Sequence, residues 1–416
     1  MAMASSKAIM TTTEATAITS FPITIYENPM PYSQRQLLRH DHRQPYRLHT
    51  DKKIPKLKFG DLLVEVYGIG LNPADWKSAD LGCLLPSPCG LNGREFIGRI
   101  IAAEIDPKCS LQLGEWVLAV PTDYRDVRKS TFQEYTIVCC YNAIRIPKHV
   151  DPFKVASMGV AYVAAGLSLG VCLGVTFTKG PKKREFNLLE IARRRPEDIP
   201  DDIIDEVFDA LAPCYQAQPG EWLLVYGAST MTGQIIIQLA KLGGLKVVGV
   251  AELSKHQQLL QSLGTDILVE SSDLDQAKRD IKQLVPGSLR FAVDTVGPQT
   301  AAWCQEVLAE RTSGSKLSHL VALAAPPTTY SPNIQVHTVP IKLFHTSQYV
   351  GGYLSKWLYE LLDMHKLLLP EVERIPGGLD AINEALEILK QGKTAGKGIV
   401  IRIKEPNTLI GSLSQA

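Results

Sequence analysis

Residues Glu221 to Glu252 read EWLLVYGASTMTGQIIIQLAKLGGLKVVGVAE. Leu223, Leu224 and Val225 form the short apolar run of a parallel strand covered on both faces, and Ile236, Leu239 and Ala240 recur at helical spacing. Gly227 and Gly233 bracket the turn between them, and a second apolar strand follows. This is a nucleotide-binding βαβ unit: a helix N-terminus attracts a pyrophosphate through its unpaired N–H groups and macrodipole, and glycine lets the backbone approach it. Of the G-x-G-x-x-G pattern only Gly227 and Gly233 remain, with Ser229, Thr230, Met231 and Thr232 between them. Their hydroxyls either donate to phosphate oxygens or cap the helix.

Strand signals recur downstream at Asp266 to Val269, Arg290 to Thr295 and His319 to Ala324. Helical stretches Lys255 to Leu263, Gln276 to Leu284 and Thr300 to Leu308 alternate with them, so a doubly wound parallel sheet is expected. Ala251 ends the second strand, where an NAD-specific sheet of this kind places an acid on the ribose 2′-hydroxyl. A small residue there, followed by Ser254, Lys255, His256 and Gln257, suits a 2′-phosphate and points to NADPH. Glu252 pulls the other way, since a carboxylate repels phosphate.

The N-terminal half reads differently. Runs at Leu62 to Val66, Ile97 to Ala103, Trp116 to Ala119 and Tyr135 to Val138, separated by Gly, Pro and Asn turns, predict a barrel-like β domain. Pro152 to Leu173 is helical and apolar nearly all round, as for a buried connection between two domains. The chain has 416 residues, 45% hydrophobic and 21% charged, with a formal net charge of +1, so two domains are expected. No basic face argues for nucleic acid, and no run is apolar and long enough for a bilayer. Met1 to Ser20 lacks a basic start and an apolar core and reads as a disordered tail, assigned to residues 1–32. Eight cysteines without a C-x-x-C pair fit a reducing compartment, the cytoplasm by default. The histidines show no ligand spacing apart from His40-Asp41-His42, which reads as a solvated turn, so no metal is expected.

Landmarks from Leu62 to Ile403 resemble the medium-chain dehydrogenase/reductase superfamily: Gly70-Leu71-Asn72-Pro73-Ala74-Asp75-Trp76-Lys77, Gly93-Arg94-Glu95-Phe96-Ile97-Gly98, Gly114-Glu115-Trp116-Val117, the nucleotide turn, Asp294-Thr295-Val296-Gly297 and Gly396-Lys397-Gly398-Ile399-Val400. The resemblance implies an α/β protein with a GroES-like β-rich catalytic domain and a Rossmann domain. In zinc alcohol dehydrogenases of that superfamily, a cysteine stands where this chain has Asn72 and a histidine where it has Arg94. Neither amide nor guanidinium replaces a thiolate or imidazole ligand. The zinc-free chemistry that remains is hydride delivery to a conjugated double bond, with the enolate held by hydrogen bonds, as in the quinone oxidoreductase and enoyl reductase branch.

Within that branch the chain is most similar to the trans-acting enoyl reductases of fungal polyketide synthases. The likeness implies an enoyl thioester substrate, carrier-bound or small, and a polyketide synthase as partner. It nominates Lys77 for enolate stabilisation or proton supply, with Asn72, Ala74, Ala324 and Lys397 joining the nucleotide turn around the cofactor. It sets Tyr162, Ala164 and Arg94 toward the substrate, although Arg94 could instead pair with Glu95 or Asp75, and Tyr162 reads equally as a buried tyrosine bonded to backbone. Ala164 stands where most relatives keep a threonine beside the nicotinamide. A quinone or 2-alkenal reductase, or a non-catalytic binding protein of the same fold, are the alternatives.

The expected division is residues 33–176 with 345–416 for the catalytic domain, 177–218 for an insertion, and 219–344 for the Rossmann domain. In the insertion, Lys182, Lys183 and Arg184 precede Arg193, Arg194 and Arg195, then Glu197, Asp198, Asp201, Asp202, Asp205 and Glu206. It reads either as a solvated surface hairpin or as a docking surface for an acidic carrier.

Overall fold

The computed structural model describes residues 31–41, 43–82, 90–104, 109–121, 126–179, 184–311 and 317–405, and the backbone strand Thr24–Tyr26. Lys182, Lys183, His42, Cys83, Cys89 and the rest of the expected tail lie outside the described residues. Thr24–Tyr26, placed in the tail by composition, pairs antiparallel with Glu95–Glu104.

Six parallel strands form the nucleotide-type sheet in the order Ile267–Glu270, Lys246–Ala251, Trp222–Tyr226, Phe291–Asp294, Ser318–Ala322 and Ile334–His337. Trp222–Tyr226 begins the series and its two neighbours run outward in opposite directions, the doubly wound order. The helix Met231–Leu242 buries Ile235, Ile236, Leu239 and Ala240 against it, as the spacing predicts. The edge strand Ile334–His337 alternates apolar and polar residues over only four positions, too short a run to mark a strand by pattern alone.

The second sheet has eight strands, wrapped into the barrel-like half. Asp61–Leu71 is its longest member and runs well past the apolar stretch Leu62 to Val66. Gly68 and Gly70 continue it, because a Cβ at Gly70 would stand 2.2 Å from the carbonyl oxygen of Ala156. Gly398–Arg402, near the end of the chain, pairs with this strand, so the last strand returns to the N-terminal sheet. The helix Gly159–Leu167 joins the two halves. Every residue from Ala161 to Leu167 is buried, which accounts for its all-round apolarity.

The stretch 177–218 is not a solvated hairpin. The paired strands Thr176–Lys179 and Arg184–Asn187 lay Phe177 and Phe186 against Trp357, at ring-centroid distances of 4.7 and 5.1 Å. Leu188, Leu189, Val207 and Leu211 are buried in the same core. Its charges are also engaged: Arg193 donates to the carbonyls of Val207 and Leu211, Asp198 accepts from Ser347 Oγ at 2.9 Å, and Asp202 pairs with Lys342. Among the described residues no helix is long and apolar enough to cross a membrane.

Candidate active site

The switch in strand order opens a crevice at the carboxyl ends of Trp222–Tyr226 and Phe291–Asp294, where ligands of such sheets sit. The chain leaves the first of these strands at Gly227, whose φ of +74° favours glycine, and a Cβ there would meet Thr295 Oγ1 at 2.4 Å. A Cβ on Gly233 would lie 2.3 Å from the carbonyl oxygen of Gly227. Both glycines therefore permit a turn too tight for any side chain. Thr230 caps the helix, its Oγ1 accepting from the Gly233 N–H at 3.0 Å. The capping role read for the hydroxyls is thus filled by Thr230, and the N–H groups of Met231 and Thr232 in the first turn are left without intrahelical acceptors.

Ser229, Thr230, Met231 and Thr232 form one wall of a cleft of about 750 Å³; Asn72 and Ser157 stand opposite, and Lys255, His256 and Lys397 lie along its length. The loop from Gly392 to Gly398 closes the cleft. Gln234 clamps this loop to the phosphate turn, donating from Nε2 to the carbonyls of Ser229 at 2.9 Å and Gly396 at 2.8 Å. At Gly396, with φ +79°, a Cβ would come within 2.7 Å of the same Ser229 oxygen. Sequence reasoning missed Gln234 and Ser157. Gln234 looks like an ordinary helix residue until the chain end folds over it.

The fit of a dinucleotide rests on these features. A helix N-terminus with free first-turn N–H groups faces the cleft, and the turn beneath it is cleared by two glycines. Ser157 is 2% exposed, lines the cleft, and its hydroxyl has no hydrogen-bond partner in the protein. A buried hydroxyl without a partner costs free energy that a bound ligand recovers.

Two carboxylates stand at the start of the helix Leu253–Ser262: Glu252 lines the cleft and pairs with Lys255 at 2.8 Å, while Glu270, outside the cleft wall, accepts the Leu253 N–H at 2.9 Å. The Lys255 pair is solvent-exposed, with side chains 62% and 46% accessible, so it is weak and leaves Lys255 able to turn toward another anion. Lys397 pairs with Glu371 at 2.9 Å in a similarly exposed contact.

Beneath Asn72 lies a buried polar cluster. Asn72 Nδ2 donates to Glu95 Oε1 at 2.7 Å, and Glu95 Oε2 accepts the Val160 N–H at 2.8 Å, which ties the cleft floor to the first turn of Gly159–Leu167. Burial pushes the Glu95 carboxyl up to about 8, against the hydrogen bonds that favour its ionised form. Arg94, expected at the substrate, is instead 4% exposed: its Nη1 donates to Asp75 Oδ1 at 2.5 Å and its Nη2 to Ser78 Oγ at 2.7 Å. A guanidinium held by a carboxylate and a hydroxyl inside the barrel does not reach the cleft.

Tyr162 is likewise withdrawn. It is fully buried and its hydroxyl donates to the Leu354 carbonyl at 2.9 Å, while burial drives its pKa well up. Ala164 is buried two residues further along the same helix, its carbonyl accepting from Ser168 Oγ. Lys77 and Ala74 stand on the helix Pro73–Leu81, which starts at the cleft wall, and the Lys77 ammonium lies 5.9 Å from the Trp76 ring centroid. Neither is in the wall itself. Ser254 and Gln257 are exposed on the helix Leu253–Ser262 outside the cleft, and Ala324 follows the strand Ser318–Ala322, also outside the wall.

Comparison with known proteins places this geometry. Residues 232–317 match a family model described as zinc-binding dehydrogenase. The trans-enoyl reductase resD of Aspergillus sclerotiorum is 26% identical over 373 residues, covering 85% of this chain and 96% of that protein. Among solved structures, the CurK enoyl reductase superposes with a TM-score of 0.64 at 16% identity, covering 89% of this chain and 99% of its own. A mycobacterial protein complexed with NADPH gives 0.65 at 15% identity, covering 89% and 100%. Over most of its length the chain is similar to trans-enoyl reductases, and its two-domain fold is that of the CurK enoyl reductase.

Proposed function

We propose that the chain is an NADPH-dependent enoyl reductase that uses no catalytic zinc and acts on an α,β-unsaturated thioester carried by a polyketide synthase. The observation that carries this reading is the donor set at the cleft floor and in the barrel beneath it. Where zinc-dependent relatives have thiolate and imidazole, this chain has an amide bonded to Glu95 and a guanidinium bonded to Asp75, a poor set for holding zinc.

When bound, a nicotinamide cofactor supplies the hydride. The first turn of Met231–Leu242 holds its pyrophosphate, and Lys255 with His256 takes the 2′-phosphate. Hydride addition at the β-carbon moves negative charge onto the thioester carbonyl oxygen, which needs a hydrogen-bond donor and then a proton at the α-carbon. Ser157 is the buried hydroxyl available as donor, and Lys77 supplies the proton after its half-buried ammonium turns into the cleft.

Similarity to relatives named trans-enoyl reductases supports the choice of substrate and partner. The test is oxidation of NADPH by crotonyl-type thioesters, by quinones, and by a carrier-loaded enoyl chain. Turnover on thioesters, greatest on the carrier-bound chain, is expected. Turnover of quinones without thioesters would replace this reading by a small-molecule reductase. A Lys77→Ala variant is expected to lower kcat at least tenfold with NADPH affinity unchanged.

A further inference from the structure

Far from the cleft, three segments bring chemically unlike donors to one point. Cys172 ends the π-turn Ser168–Cys172, Glu206 comes from the helix Ile204–Phe208 of the 177–218 stretch, and His337 ends the edge strand Ile334–His337. One ligand atom from each lies within 4.8 Å of the other two. Cys172 and His337 are fully buried and the Glu206 side chain is 13% exposed. None of the three lines the nucleotide cleft.

The contacts around this point have the form of a ligand set with support behind it. His337 Nδ1 faces Glu206 Oε1 at 2.5 Å, and its other nitrogen, Nε2, is 2.9 Å from Nδ1 of His319 on the neighbouring strand Ser318–Ala322. A metal-bound imidazole almost always has its second nitrogen engaged in this way, which fixes ring orientation and tautomer. The second Glu206 oxygen accepts the Thr338 N–H at 3.3 Å. His319 is fully buried and its Nε2 has no hydrogen-bond partner, so the protons alone do not complete this network.

We propose that Cys172 Sγ, Glu206 carboxylate and His337 Nδ1 form a site for a divalent transition-metal ion, zinc by donor type, that pins the 177–218 stretch to the edge of the nucleotide sheet. A thiolate, an imidazole and a carboxylate are the borderline donors zinc selects. Zinc at about 2.0–2.3 Å from each donor sets the donors roughly 3.5 Å apart, so the Glu206–His337 contact opens by about 1 Å as metal replaces the proton between them. Binding releases the thiol proton of Cys172, and neutral His337 moves its single ring proton from Nδ1 to Nε2. From Nε2 it donates to Nδ1 of His319, whose own proton then sits on Nε2. The thiolate and carboxylate together neutralise a divalent cation, and water entering beside Glu206 fills the fourth position.

The experiment uses the full chain, chelator-treated and then titrated with Zn2+ or Co2+. One equivalent of metal is expected, with a thiolate-to-cobalt charge-transfer band and a rise in Tm of about 3 °C or more at a hundredfold excess over Kd. Cys172→Ser and His337→Gln should each lose the band and weaken binding at least a hundredfold, whereas Cys214→Ser, at an exposed thiol, should keep both. Absence of stoichiometric binding by the wild-type chain overturns the proposal, and so does a band that survives Cys172→Ser. The wild-type spectrum decides the question even if a variant fails to fold.

Discussion

Arg94→Met discriminates between a substrate-binding arginine and a buried structural one. The Arg94 side chain is 5% exposed and the Asp75 side chain not at all, and the two share a contact of 2.5 Å, with Ser78 Oγ as a further acceptor at 2.7 Å. Removing one partner of such a pair strands a buried carboxylate and costs about 3–5 kcal/mol. Burial already raises the Asp75 carboxyl, and loss of the guanidinium, its strongest opposing influence, raises it further. A carboxyl whose folded pKa lies above its unfolded value holds more protons in the folded state, so stability falls as pH rises through that window. The deficit of Arg94→Met relative to wild type should therefore be largest at neutral pH and shrink as pH is lowered toward the ordinary aspartate range. Urea unfolding from pH 4 to 8 measures it, and Asp75→Asn in the same chain should restore part of the loss, because both charges are then gone. If Arg94→Met leaves stability unchanged but raises the substrate KM tenfold or more, Arg94 is a ligand-binding group and the buried-pair account fails.

Glu95→Gln should flatten the pH dependence of stability between about 4.5 and 8. A carboxyl raised to about 8 makes the wild-type chain lose as much as about 5 kcal/mol as pH rises across that window, which urea unfolding at several pH values will show. Lys255→Ala should weaken NADPH binding about tenfold and leave NADH binding unchanged, whereas Glu252→Gln should strengthen NADPH binding; fluorescence titration of both cofactors reads this, and equal losses for both would remove the 2′-phosphate role. Tyr162→Phe should cost about 0.5–1.5 kcal/mol by removing the second hydrogen bond to the helical Leu354 carbonyl, with kcat unaltered in the thioester assay. A fall in kcat without loss of stability would return Tyr162 to the substrate.

The nucleotide sheet was legible because its information is local. Apolar runs, helical spacing and two punctuating glycines lie within Glu221 to Glu252, and burial of both sheet faces demands that pattern. The tight turn between Gly227 and Gly233 could be located for the same reason. Periodicity also marked the connecting helix, though it did not show that Tyr162 points its hydroxyl at a backbone carbonyl 192 residues away.

What only the tertiary structure decided are the pairings between distant segments. From the sequence Arg94 could bind an anion or pair with Glu95 or Asp75, and only closure of the barrel selects the buried pair with Asp75. Gln234, Ser157 and the Gly392 to Gly398 loop have no shared signal along the chain, yet they meet at one cleft because the last strand returns to the first sheet. The charged stretch 177–218 looks solvated by composition, but its apolar side is buried and its acids face helix ends and a histidine. A one-dimensional pattern records which faces of an element are apolar. Which partner covers each face, and which polar group is thereby deprived of water, is set by packing across the whole fold.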